Sequence, residues 1–222
     1  MSLDDAVRRA GLKPSNESSQ ATKKRYSEVL SRNLSYELAA GLQRVGFVGC
    51  HPARGEKGER EFQGGLGPKR VDVAFSDEKH GLKMAVSIKT VCFEPFGKNL
   101  KNRFADLCTE AITLHLRFPY SVVCALFAFP VDASHDAASA RTMSTFDRAR
   151  KLFSTIAGRS EYTDPGEKFE NVTLMLFVPG DEPSVRLVDS ESGRSLTEAE
   201  YLETLKSLYN RRNPHALIGD KE

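Results

Sequence analysis

The sequence predicts an α/β protein with a central mixed sheet flanked by helices. Segments with apolar residues at helical spacing alternate with runs rich in β-branched and aromatic residues. One run, YSVVCALFAF (Tyr120–Phe129), is almost wholly apolar, which is typical of a central strand covered on both faces. We expect a polar N-terminal arm at 1–20 and a single domain at 21–222. Its core would span about 25–130, with a C-terminal elaboration at 131–222.

Helical periodicity begins after the polar N-terminus. The cluster PSNESSQ there indicates a loose arm, or a short helix followed by a linker. From Thr22 onward, apolar residues recur at intervals of four between Tyr26 and Leu42, which predicts a long helix that ends at Gly46. The next stretch is rich in glycine and charge, so only a short strand around Arg60–Gln63 is predicted in it.

A β-hairpin is predicted next. RVDVAF (Arg70–Phe75) and KMAVSIKTV (Lys83–Val91) alternate like half-buried strands, with a turn between them. Because side chains repeat every two residues, Asp72 lies on the face opposite its valine neighbours, and Ser87 and Lys89 share a face. We expect the pairing of these strands to bring Asp72 and Lys89 together at the end of the sheet.

The rest of the chain continues to alternate helices and strands. The last helix opens with a predicted capping box, in which Ser195 is followed three residues later by Glu198. The predicted elements are a helix at Asn99–Leu116, the strand at Tyr120–Phe129, a helix at Thr142–Ala157, strands at Val172–Val178 and Val185–Val188, and a helix at Leu196–Tyr209.

Composition indicates a soluble globular protein, with 40% hydrophobic and 28% charged residues. No apolar run approaches the roughly 20 residues that cross a bilayer, and the N-terminus lacks the apolar segment of a secretory signal. The four cysteines are well separated and form no C-x-x-C pair, which argues against a zinc site or a disulfide framework. We therefore expect a cytoplasmic protein with no membrane partner.

Charge is distributed unevenly along the chain. Residues 1–103 contain 19 Lys and Arg against 12 Asp and Glu, whereas the remainder contains 13 against 18. A basic half beside an acidic half suits a polyanion bound on one face. Two differently charged solvated faces are an equal alternative, so charge alone does not identify the partner.

Three residues offer the parts that phosphodiester hydrolysis requires. The reaction needs a divalent metal, hard oxygen ligands that hold it, and a nearby cation that positions the attacking water. Asp72 is a lone acid between valines, Lys89 lies in an otherwise aliphatic strand, and Glu110 projects from the following helix. Each has an ordinary alternative, namely a solvent-facing charge at a strand edge for the first two and a helix ion pair for Glu110.

These residues follow an order that is similar to a known family. Asp72 precedes Lys89 by seventeen residues within an αβββαβ pattern, and position 87 is serine. The arrangement resembles the PD-(D/E)XK nuclease superfamily, in which position 87 would hold a second acid. Ser-x-Lys resembles a branch of type II restriction endonucleases that recruits a glutamate from the next helix, and RFADLCTEAITL around Glu110 is similar to that helix. The resemblance covers about half the chain and implies a restriction endonuclease-like αβββαβ core.

The resemblance also implies roles for individual residues. Asp72 and Glu110 would be metal ligands, Lys89 the catalytic lysine, and Mg²⁺ the cofactor, with Mn²⁺ as an alternative. In many of these nucleases a first-helix glutamate joins the metal; Glu37 is the better candidate and Glu28 the weaker, with a solvated helix acid as the alternative. The implied reaction cuts DNA to leave a 5′-phosphate and a 3′-hydroxyl. A homodimer is expected because cutting two strands needs two centres, and a cognate methyltransferase is a further candidate partner.

Basic residues near the predicted site are candidates for contacts with the nucleic-acid backbone. Helix N-terminal amides and basic side chains suit phosphates, although a solvated charge run is an alternative. The candidates are Lys69, Arg70, Lys98, Lys101, Asn102 and Arg103. The serine at position 87 leaves open a catalytically inactive DNA-binding or structural protein on the same fold. A repair nuclease or an RNA nuclease is the other alternative.

Overall fold

A mixed sheet of six strands lies between two groups of helices. The computed structural model describes residues 1–56, 58–137 and 142–219. The helices are α1 (Leu3–Ala10), α2 (Gln20–Arg44), α3 (Phe96–Arg117), α4 (Thr145–Phe153) and α5 (Glu198–Arg212), with a 3-10 helix at Val131–Ser134. The strands are β1 (Arg60–Gly64), β2 (Gly67–Val71), β3 (Val73–Asp77), β4 (Gly81–Thr90), β5 (Val122–Pro130), β6 (Asn171–Val178), β7 (Ser184–Asp189) and β8 (Ser195–Leu196).

The six-stranded sheet follows chain order from β3 to β8. Strands β4, β5 and β6 run parallel at its centre, whereas β3, β7 and β8 pair antiparallel at its edges. Every residue of β5 is buried, as its continuous apolar run predicts. The predicted α/β class, with a mixed sheet flanked by helices, is therefore confirmed.

Helices cover both faces of the sheet. On one face, α1, α2 and α5 pack against apolar side chains such as Val86 and Ile88 of β4. On the other face, α3 and α4 pack against a second apolar cluster that contains Ala85 and Phe127. The alternation predicted for β4 is confirmed, and it places Ser87 and Lys89 on the face that α3 covers. In the described parts of the chain, no helix has the length and apolar character that a bilayer span requires.

The N-terminal residues form part of the core. Of the two structures expected for residues 1–20, the short helix is correct, because α1 buries Leu3, Ala6 and Val7 completely in the cluster that also contains α2. Their spacing gives one apolar stripe among polar residues. The boundary predicted at residue 20 therefore does not separate a loose arm from the domain. Residues 138–141 and 220–222 of the predicted domain lie outside the described residues.

The strand predicted at Arg70–Phe75 is two strands, which is a correction to the sequence analysis. The chain bends at Asp72, between β2 and β3, and β2 pairs with β1 in a separate two-stranded sheet. Val71 consequently packs on the α3 side, whereas Val73 packs on the α2 side, so these valines do not share a face. The bend also frees Asp72 from the β3–β4 ladder, so its carboxylate can accept a hydrogen bond from the Ile88 N–H at 2.7 Å.

The start of the last helix also differs from the prediction. The capping box consists of Thr197 and Glu200 rather than Ser195 and Glu198, because Ser195 and Leu196 form the short edge strand β8. Strand pairing has therefore shifted the helix start by two residues. Both pairs match the capping pattern, so the sequence alone does not distinguish them.

Candidate active site

Three structural elements bring Asp72, Lys89 and Glu110 together. Asp72 lies at the bend between β2 and β3, Lys89 near the carboxyl end of β4, and Glu110 in the second half of α3. The Lys89 Nζ atom is 3.0 Å from Glu110 Oε2 and 3.9 Å from Asp72 Oδ2. Two carboxylates thus share one ammonium group, which is the juxtaposition expected from the sequence. Their catalytic role remains a prediction.

The Glu110 carboxylate lies directly beside Ser87, the position where the resembled family has its second acid. The Ser87 hydroxyl donates a hydrogen bond to Glu110 Oε1, and Glu110 is fully buried. Its other oxygen, Oε2, contacts both Lys89 and Lys69, the latter at 2.8 Å. A larger side chain at position 87 would occupy the space that the Glu110 carboxylate fills. The serine and the helix glutamate are therefore sterically complementary.

Burial and ion pairing act in opposite directions on the three charges. Burial raises the pKa of Asp72 to about 6, although Lys89 and the Ile88 N–H oppose this rise. Burial also pushes the pKa of Glu110 upward, but Lys89 and Lys69 outweigh it and leave that pKa below its ordinary value. The pKa of Lys89 is raised, because Glu110 and Asp72 outweigh the effect of its burial. Glu110 is thus ionised and Lys89 protonated at neutral pH.

The site has donors that suit a hard divalent cation. Mg²⁺ is commonly held by one or two carboxylates and keeps several water ligands. All contacts of Asp72 with described residues involve Oδ2 and leave Oδ1 available, whereas both Glu110 oxygens have partners. No set of three or more His, Cys, Asp or Glu side chains in residues 1–56, 58–137 and 142–219 is arranged to hold a metal. The donor chemistry fits Mg²⁺ or Mn²⁺ if Glu110 exchanges a lysine contact for the ion.

Asp72 and Lys89 line an open cleft of about 960 Å³ between α2 and α3. An adjoining pocket of about 770 Å³ shares Asp72 and Glu28 with it. The start of α2 contributes Lys23 and Lys24 to the cleft wall. These two lysines were not singled out from the sequence, although two adjacent cations one turn into an amphipathic helix were a visible signal. The walls are mixed in charge, because four acids besides Asp72 also line the cleft, namely Glu28, Glu59, Glu94 and Asp106.

The predicted nucleic-acid-binding residues separate into three groups. Asn102 and Arg103 line the cleft beside Lys89, and Arg103 also pairs with Asp106 of the same helix at 2.9 Å. Lys98 and Lys101 are exposed on α3 but do not line the cleft. Lys69 contacts Glu110, and Arg70 lines the adjoining pocket with its guanidinium 3.4 Å from Glu61.

Glu37, predicted as a third metal ligand, is not brought to this site. Its buried carboxylate accepts hydrogen bonds from Arg9 at 2.8 Å, from Arg54 at 2.5 Å and from the Ser2 N–H at 3.1 Å. Burial raises the pKa of Glu37, but these hydrogen bonds outweigh it and lower that pKa below the ordinary value. The weaker candidate, Glu28, lines the cleft beside Asp72. Glu37 thus ties α1 and the Arg54 loop to α2.

We predict that Glu37→Gln lowers the free energy of unfolding by about 2 kcal/mol, because the buried acceptor of the Arg9 and Arg54 hydrogen bonds loses its negative charge and the amide nitrogen cannot accept from the Ser2 N–H. Glu28→Gln is the matched control on the same helix, and its exposed position predicts an unchanged stability. Urea unfolding measures both variants. A Glu37→Gln variant with wild-type stability but weakened binding of Mn²⁺ would instead make Glu37 a metal ligand.

Comparisons with protein-family models, with curated proteins and with solved structures find no match for this chain. Inference about its function therefore depends on the chemistry of the residues in the cleft. Two acids and two lysines meet beside the cleft at the junction of β2, β4 and α3, and further cations and acids line its walls.

Proposed function

We propose that this protein is a metal-dependent endonuclease of the PD-(D/E)XK type that hydrolyses phosphodiester bonds in DNA. One observation carries the proposal: Lys89 contacts both Asp72 and Glu110 beside a cleft that Lys23, Lys24 and Arg103 also line. Charge-paired carboxylates in a cleft are candidates for function rather than for stability, because each group loses hydration on burial.

Each residue has a distinct part in this proposal. Asp72 and Glu110 would hold Mg²⁺ or Mn²⁺, and such an ion neutralises phosphate charge and lowers the pKa of a bound water. Lys89 would place its ammonium group against the attacking water or the reacting phosphate, where negative charge develops. Ser87 positions Glu110 through its hydrogen bond and touches no reacting atom. Glu28 is the first-helix acid best placed to assist.

Cations on both walls of the cleft are the candidates for contacts with a polyanionic backbone. Lys23 and Lys24 on α2 face Arg103 on α3 across the cleft, and phosphate contacts made by such residues position nucleic acid without reading its sequence. Duplex DNA is the substrate we propose, cut to give 5′-phosphate ends. A homodimer with two centres and a partner methyltransferase belong to the same proposal, by analogy with restriction enzymes.

Plasmid cleavage tests the proposal directly. Purified protein incubated with supercoiled plasmid and Mg²⁺ should produce nicked and linear DNA, and EDTA should abolish the reaction. Religation of the products without added kinase would confirm 5′-phosphate ends. Parallel incubations with single-stranded DNA, branched DNA and RNA identify the preferred substrate. Failure to cut any of these in Mg²⁺ or Mn²⁺ contradicts the enzymatic proposal.

A catalytically inactive nucleic-acid-binding protein is the second candidate, and a specific observation favours it. Glu110 already has two ammonium groups on Oε2 and a hydroxyl on Oε1, so its charge is balanced without a metal. This candidate predicts a gel shift with DNA that weakens as salt increases, because phosphate contacts release counterions. It also predicts no cleavage in either metal, whereas the nuclease predicts both binding and cleavage.

A further inference from the structure

A second cavity, of about 480 Å³, lies at the other end of β4 from the cleft. It is an open cavity lined by the β3–β4 turn and the start of β4, by the end of α3 and by the segment after α5. Lys83, which lines it, precedes Lys89 by six residues on β4, or about 20 Å along an extended strand. The cavity is therefore separate from the candidate active site, and the inference drawn from it does not depend on the proposed function.

The described lining of this cavity is basic and contains no aspartate or glutamate. Asp77, just outside the lining, contacts Lys83 at 3.5 Å and His80 at 3.0 Å and so offsets part of this charge. Arg117, exposed at the end of α3, has no ion pair with a described residue. The basic residues that line the cavity are His80, Lys83, Arg117, Arg212 and His215.

Arg212 is the buried cation of this cavity. Its side chain is 10% exposed, and its Nη2 atom donates to Ser160 O at 2.9 Å and pairs with Glu170 Oε1 at 3.1 Å. Its Nη1 atom is buried and has no hydrogen-bond partner. Buried donors without a partner are rare because they lose hydration and gain nothing in return. Arg159 Nε and His115 Nε2, which lie in the same network around Glu170, are also buried without a partner, so what Arg212 brings to the cavity is its positive charge.

The carboxylate behind Arg212 does not neutralise the cavity. Glu170 also contacts Arg159 at 2.7 Å, so one buried carboxylate serves two guanidinium groups. It accepts a further hydrogen bond from the Val123 N–H at 2.8 Å. The contacts with Glu170 and Ser160 fix the position of the Arg212 guanidinium, and the two guanidinium groups outnumber the one carboxylate. A guanidinium fixed in this way is pre-organised for an anion.

An aromatic wall completes the cavity. Phe118 and Tyr120 line it, and the Arg117 guanidinium lies 5.9 Å from the centre of the Phe118 ring. The Tyr120 side chain is 60% exposed, and its ring packs 4.8 Å from that of Tyr162. Exposed aromatic rings beside arginines provide stacking surfaces for a planar ring. The volume lies within the range of small-molecule sites.

We propose that this cavity binds a nucleotide, with the phosphate on Arg212 and Arg117 and the base against Phe118 and Tyr120. The positive charge of Arg212 and the donors of the exposed Arg117 would hold the phosphate. Arginine suits this contact because its planar donors match phosphate oxygens. The same chemistry is presented by a free nucleoside monophosphate and by the 5′-phosphorylated end of a nucleic acid.

Isothermal titration with AMP tests this proposal. We expect saturable binding by the wild-type protein, and about tenfold weaker binding by Arg117→Ala, which removes a charged contact without disturbing Glu170. Lys151→Ala, an exposed lysine on α4, is the matched control and should bind AMP like the wild type. Adenosine should bind at least about tenfold more weakly than AMP, because it lacks the phosphate.

Two further comparisons identify the source of the phosphate and the place of binding. A 5′-phosphorylated tetranucleotide that binds more tightly than AMP indicates a nucleic-acid end, and equal or weaker binding indicates a free nucleotide. The proposal is overturned if the wild type does not bind AMP, or if Arg117→Ala binds it unchanged. It is also overturned if Arg103→Ala, in the candidate active site, abolishes AMP binding while Arg117→Ala does not.

Discussion

Lys89→Ala is expected to lower the rate of Mg²⁺-dependent plasmid cleavage about 10³-fold, the upper part of the range for removal of one charge-stabilising donor. The ammonium group contacts both Asp72 and Glu110, the two acids that would hold the metal in the proposed function. Its loss leaves Glu110 paired with Lys69 at 2.8 Å, so the buried carboxylate keeps a counter-charge and the fold should persist. Initial rates of supercoil loss at saturating Mg²⁺ measure the effect.

Lys151→Ala serves as the control for this experiment, since it removes an exposed lysine from α4, away from the cleft. Its cleavage rate should equal that of the wild type. Circular dichroism and urea unfolding of Lys89→Ala establish that any loss of rate is not a loss of structure. If Lys89→Ala cuts DNA as fast as the wild type, Lys89 is not a catalytic residue and the nuclease assignment fails.

Local patterns were sufficient to predict most of the fold. The continuous apolar run of β5 and the alternation of β4 depend only on which side chains can be buried, so both could be identified from sequence. The apolar residues of α1, Leu3, Ala6 and Val7, also follow helical spacing, but they are few and lie among polar residues. The sequence therefore did not distinguish a buried helix from a loose arm there. The first residue of α5 could not be identified from sequence, because Ser195 fits both a helix cap and the strand β8 that it forms.

The differences at the site arise from long-range packing. The bend at Asp72 exists because β2 pairs with β1 instead of continuing the ladder of β3 with β4, which no local alternation reveals. Lys69 reaches Glu110 because the β1–β2 hairpin lies against α3, where the Gly65 N–H donates to Thr113 O at 2.8 Å. From the sequence, Lys69, a basic residue shortly before Asp72, was therefore a candidate for a DNA contact, whereas its partner in the fold is the acid Glu110.

The choice between Glu28 and Glu37, both on α2, also depended on packing that the sequence pattern does not show. Glu37 interrupts an apolar segment, which made it the stronger candidate, yet its burial is explained by arginines from α1 and from the loop after α2. Glu28 resembles an ordinary solvated residue and pairs loosely with Lys24 at 3.7 Å. Only the position of α2 over the sheet places Glu28 beside Asp72. Periodicity identifies the buried face of a helix but not the face that borders a cleft.

Asp72→Asn is expected to weaken binding of Mn²⁺ at least about 100-fold, because even residues that only support metal ligands contribute 10–100-fold to affinity. The cleavage rate should fall about 10³-fold with it, since the metal would no longer be held. Asparagine keeps the shape of the side chain and can still accept the hydrogen bond from the Ile88 N–H. Calorimetric titration with Mn²⁺ measures affinity without relying on catalysis.

Stability provides the control that separates a lost ligand from a damaged fold. Burial raises the pKa of Asp72 to about 6, above its value in an unfolded chain, so the ionised carboxylate disfavours the metal-free folded state at pH 8. Asp72→Asn removes that charge, so at pH 8 the variant should unfold at a urea concentration no lower than that of the wild type. Any gain in stability over the wild type should disappear at pH 4, where the folded wild-type carboxyl is protonated. A variant that is equally stable and still binds Mn²⁺ like the wild type would show that Asp72 is not a metal ligand. If the wild type itself binds DNA but no Mn²⁺, the ammonium groups of Lys69 and Lys89 are the permanent partners of Glu110, and the protein is a binding module.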